Sequence, residues 1–140
     1  MPVLDHPRGP ALLDAVATLL RDVLMPQLPA GSSAAFQARV AANAVDLAAR
    51  EMRLGPAAEA AAAERLLALL QHSGAPQTPD TLEAELALAI RSGAIDDQSP
   101  ALRAHLWAST LDKLAIDQPT YAPYRRALQL RAAPPQTPQE

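Results

Sequence analysis

Apolar residues recur along this chain at intervals of three and four, in segments set apart by glycine and proline. That is the signature of successive amphipathic helices. Leu12, Val16, Leu19, Leu20, Val23 and Leu24 gather on one side of a helix predicted from Pro10 to Met25, with Asp14, Thr18, Arg21 and Asp22 on the other. A second helix is predicted from Ser32 or Ser33, either of which can cap it, to Leu54, where Gly55 and Pro56 read as a stop. At about 1.5 Å per residue it spans about 30 Å, and Phe36, Val40, Leu47 and Leu54 share one stripe that reads as core. A third helix runs from Ala57 to Gln71 on alanines and Leu66, Leu67, Leu69 and Leu70, and His72 to Pro79 reads as a loop. A fourth opens with Asp80 and Glu83 at capping-box spacing, buries Leu82, Leu86, Ala89 and Ile90, and ends at Gly93. Ser99 and Pro100 begin a fifth that extends to Asp117, and a short sixth follows Pro119 with Tyr121, Tyr124 and Leu128. The predicted architecture is therefore all-α: a single-domain bundle of five main helices plus a short C-terminal helix over residues 1–132. The Pro- and Gln-rich end, 133–140, reads as a disordered tail.

Composition supports the helical reading and narrows the function. Of 140 residues, 32 are alanine and 22 leucine while aromatic residues make up 3%, so helix formers dominate and strand formers are scarce. A net charge of −3 is not the basic footprint that a phosphate backbone selects, so nucleic acid is not an expected partner. Cysteine is absent, which excludes disulfides, thiol nucleophiles and thiolate zinc sites. No apolar run approaches the roughly 20 residues of a membrane span, and the start shows no leader pattern, so the expectation is a cytoplasmic protein without a membrane partner.

The candidate chemistry lies where polar residues interrupt apolar faces. Asn43 and Glu51 fall on the stripe of the second helix, flanked by Arg39 and Arg50. In the fifth, Thr110, Lys113 and Asp117 project in or between two apolar sectors, one of Leu102, Leu106 and Ile116 and one of Trp107, Leu111 and Leu114, whereas His105 and Asp112 point away. A buried charge costs several kcal/mol unless paired. Two readings follow: Glu51 or Asp117 meets Lys113 in an interhelix ion pair, or these side chains snorkel to solvent, with Asn43 capping a neighbouring backbone group; or else the set lines a polar pocket between the second and fifth helices. His6, His72 and His105 lack partners at metal-ligand spacing and read as solvated, Trp107 reads as core, and no phosphate loop, Glu-x-x-His pair or Ser-x-Lys pattern occurs. No cofactor or metal is expected.

Two stretches, Phe36 through Asn43 continuing to Arg50 through Pro56, and Thr110 through Tyr121, resemble a bacterial family of small helical proteins of unknown function. Members of that family are encoded beside, or fused to, aminoglycoside-phosphotransferase-like kinases and near acyl-CoA dehydrogenases. The resemblance singles out Arg39, Asn43, Arg50, Glu51, Asp112, Lys113, Asp117, Pro119 and Tyr121. It implies a non-catalytic accessory or interaction protein that associates with such a kinase, or with itself as a homodimer through a helix face. The alternative is a domain in which the candidate polar cluster Arg39, Asn43, Arg50, Glu51, Thr110, Lys113, Asp117 and Tyr121 binds a small anion or moves a proton.

Overall fold

The computed structural model describes residues 6–72 and 78–132, and among these it contains helices and no strand. The α-helices are α1 (Gly9–Thr18), α2 (Ser33–Leu69), α3 (Pro79–Arg91), α4 (Pro100–Asp117) and α5 (Ala122–Ala132). The all-helical expectation holds. The expected tail from 133 lies outside the described residues, as does most of the loop after His72. None of the described helices is long and apolar enough to cross a membrane.

The helix limits differ from the sequence reading in instructive ways. After Thr18 the first helix widens into a π-helical turn, Leu19–Leu24, and then tightens into a 3-10 turn, Met25–Gln27, before Gly31 takes a left-handed φ of 74° in the connection to α2. Ser32 caps α2, its hydroxyl accepting from the Ala35 amide at 3.1 Å. The predicted second and third helices are one helix of 37 residues with Pro56 inside it, about 55 Å long. Gly55 and Pro56 do not stop it because Gly55 keeps a negative φ and alanine-rich sequence follows. One missing N–H is a local loss there, not a terminus. α3 is capped by Thr78, whose hydroxyl accepts from the Thr81 amide at 3.3 Å, and not by Asp80. Pro79 at the first helical position moves the start back two residues from the capping box that Asp80 and Glu83 suggested. Ser99 caps α4 as expected, and α4 ends at Asp117 as expected.

Internal contacts divide the chain into two compact units, one up to Ala61 and one from Ala62. In the first, α1 and the first part of α2 form an antiparallel hairpin. Arg21 binds Asp46 and Asn43 at one end, and Arg53 binds Asp14 and the Pro10 carbonyl at the other. The large side chains do not carry this packing. Among the described residues of this unit the buried apolar side chains are Ala17, Ala35, Ala42 and Ala49, the last three spaced by seven residues. The expected core stripe is thereby corrected: Phe36 is 64% exposed, and Val40, Leu47 and Leu54 are exposed with it. Alanine lets two backbones approach closely, and the bulky stripe is left on another side of the same helix. In the second unit Leu66, Leu82, Leu86 and Leu102 form a core from α2, α3 and α4, with Ala63, Leu67, Leu70, Ile90 and Ile95 packed against it. Trp107, expected in the core, is 58% exposed.

Candidate functional site

The polar residues picked out by helical geometry are mostly on the surface. In the first unit Arg39 and Glu51 are exposed, Asn43 accepts from Arg21 at 3.1 Å, and Arg50 adds its charge to the field that holds the Asp46 carboxyl below its ordinary pKa, after the hydrogen bond from Arg21. In the second unit Lys113, Asp117 and Tyr121 are exposed, and Lys113 and Asp117 form no ion pair with each other although they stand one turn apart. The Thr110 hydroxyl donates to the Leu106 carbonyl at 2.8 Å, a bond within its own helix. The expectation that Glu51, Lys113 and Asp117 interrupt buried surfaces is therefore corrected. Water solvates each charge, so no partner is needed to offset burial.

The second unit instead gathers a set that the sequence reading passed over. Arg65 reaches from α2 along one face of α4: its Nε donates to Nδ1 of His105 at 3.4 Å, and its Nη2 donates to the Ser109 hydroxyl at 3.4 Å and to Asp112 Oδ2 at 3.1 Å. His105, expected to be solvated, is 4% exposed. Asp112, expected to point away, is half-buried against Arg65. Burial first, and the charge of Arg65 second, push the His105 pKa below the ordinary histidine value; Lys113 adds to this and Glu83 opposes it. The neutral ring accepts at Nδ1 and so carries its hydrogen on Nε2. A signal was present: His105, Ser109 and Asp112 recur at helical spacing, and Arg65 is the one basic residue in the predicted third helix. His72, another histidine expected in solvent, bonds Glu85 at 2.7 Å on the surface.

Beside this network lies an open cleft of about 340 Å³ lined by Arg65, Ala68, Leu69, Ala101, Ala104 and His105. Among the described residues no three His, Asp or Glu side chains are placed to share a metal ion. The other prominent surfaces are apolar. Leu12, Val16, Leu19 and Val23 on the first helical stretch, and Phe36, Val40, Leu47 and Leu54 on α2, remain exposed along single helix faces.

The profile of a family described as a domain of unknown function (DUF6285) matches residues 26–121. No curated protein and no solved structure matches the chain.

Proposed function

The chain belongs to the DUF6285 family, and from that premise we propose that it is a non-catalytic interaction protein whose helical hairpin docks onto a partner of the phosphotransferase-like kinase class. One observation carries the reading. The hairpin buries alanines and leaves its large apolar side chains in solvent, at the four- and three-residue spacing that anchors a helix in a groove. An apolar stripe normally faces a core, and within this unit those on α1 and α2 have none. The family resemblance supplies the class of partner and its setting near acyl-CoA metabolism, and the cytoplasm is the compartment that fits such a kinase.

Co-expression of the full chain with a kinase of that class tests the reading. A complex should survive purification, and Leu12→Glu with Leu19→Glu, or Phe36→Glu with Val40→Glu, should weaken it at least about a hundredfold, as expected for charges placed in a desolvated contact. Helical content should hold in both variants because the replaced side chains lie outside the intramolecular core. A chain that forms no complex with the kinase and sediments as a monomer at all concentrations defeats the proposal. A dimer broken by the same substitutions would replace the kinase with a second copy.

A further inference from the structure

We propose that the cleft beside Arg65 and His105 binds a small monocarboxylate with a short apolar tail. The donors that would hold the carboxylate are already positioned. Arg65 commits Nε to His105 and Nη2 to Ser109 and Asp112, so the plane of its guanidinium is held while both hydrogens of Nη1 find no acceptor among the described residues. His105 uses Nδ1 to accept from Arg65, which leaves the Nε2 hydrogen as its remaining donor. Among the described residues no buried side-chain nitrogen or oxygen is left without a partner, so Nε2 keeps some contact with solvent, and His105 is one of the residues that line this cleft. Arg65 and His105, each on a helix, therefore line one open volume.

The rest of the lining defines what else fits. Ala68, Leu69, Ala101 and Ala104 supply an apolar wall and no competing polar group, and no acidic residue lines the cleft. Its one permanent charge is the guanidinium. Asp112 offsets part of that charge from its half-buried position on the Nη2 side, and leaves the Nη1 edge for a second carboxylate. The volume of about 340 Å³ lies at the lower end of the range for small-molecule sites, roughly 300 to 1,000 Å³, which favours a ligand of few atoms. Burial of His105 adds selectivity. A neutral imidazole donating through Nε2 welcomes an acceptor oxygen and offers nothing to an ammonium group. This site lies in the unit from Ala62 onward and is independent of the apolar hairpin proposed for docking.

Butyrate titrated into the full chain, read by the NMR resonances of the His105 ring, tests the assignment. A saturable shift is expected with affinity on the order of millimolar, the range open to so small a ligand. Butyramide, equal in shape but uncharged, should bind roughly tenfold more weakly, and acetate should also lose affinity because it leaves the alanine wall uncovered. Arg65→Met should abolish the shift. Because that variant also breaks the network to α4, Ala101→Phe serves as the second probe: its site is exposed, and the larger ring fills the cleft without touching the donors. A His105 resonance that ignores butyrate, or one that still shifts to saturation in Ala101→Phe, overturns the proposal.

Discussion

Arg65 shows how one side chain can organise a helix face. Its guanidinium spans His105, Ser109 and Asp112, and with it in place His105 can be buried neutral. The pH dependence follows from that protonation state. The unfolded chain protonates histidine near pH 6.5 whereas folded His105 resists, so below about pH 6.5 the unfolded state binds more protons and stability falls with pH. Stability from this source is full above that value and declines as pH drops toward the lower folded pKa. Urea midpoints measured from pH 5 to 8 should show that slope, and His105→Gln should flatten it; an unchanged slope in the variant would assign it to other groups. Gln71 offers a second test. It has a left-handed φ of 54° just past α2, where the His72 amide bonds back to the Leu67 carbonyl at 3.0 Å, a position that favours glycine. Gln71→Gly should raise unfolding free energy by about 1 kcal/mol, and a loss of stability would mean that the Gln71 side chain contributes more than its backbone strain costs.

At the level of the element, α2 is the departure that most changes the fold. A glycine followed by a proline reads as a helix stop, and the reading fails because both residues sit in helical conformation within an alanine-rich segment. Pro56→Ala restores an N–H for the Met52 carbonyl and removes a ring that is exposed, so thermal unfolding should move upward, by up to about 3 kcal/mol in stability. A downward shift would show that the proline is needed where it stands. Gly55→Ala is expected to stabilise as well, by about 0.5 to 1 kcal/mol, since an added Cβ meets only Glu51 Cγ at 3.9 Å, an ordinary contact. Calorimetry of the two single variants and the double variant separates the contributions. Farther along α2, Leu66 is fully buried, and Leu66→Ala should cost about 2 to 5 kcal/mol in the same measurement. A cost under about 1 kcal/mol there would show that the core of the second unit closes around the cavity.

Across the whole molecule, apolar surface is distributed unevenly. Among the described residues the second unit has a core of four packed buried leucines, while the first buries alanines and exposes ten large apolar side chains on its two helical stretches. Such a hairpin is held by ion pairs at the protein surface, which salt weakens, and its apolar faces gain from any contact that removes them from water. In the absence of a partner, sedimentation at rising concentration should give a mass above the 14.8 kDa of one chain. Leu12→Glu combined with Phe36→Glu should return it to that value. A mass that stays at one chain throughout would confine the apolar faces to a heterologous partner.

Apart from the continuation of α2 through Pro56, the helical segments were legible along the chain, because helix propensity, hydroxyl caps and the placement of proline act within a few residues. The α4 limits and the Ser32 cap follow from those local rules, and so does the all-helical class. Which side of each helix is covered came from how the helices pack. A periodic stripe of Phe36, Val40, Leu47 and Leu54 looks like a core face, yet close approach of two helices selected Ala35, Ala42 and Ala49 instead. The polar residues follow the same logic. Glu51 lies on a stripe of α2 that is itself exposed, and Lys113 and Asp117 are exposed although Leu102 and Leu111 of the sectors beside them are buried, whereas His105 and Asp112 lie on the side of α4 that Arg65 reaches. Burial is a property of two surfaces meeting, and a periodicity within one helix describes only one of them.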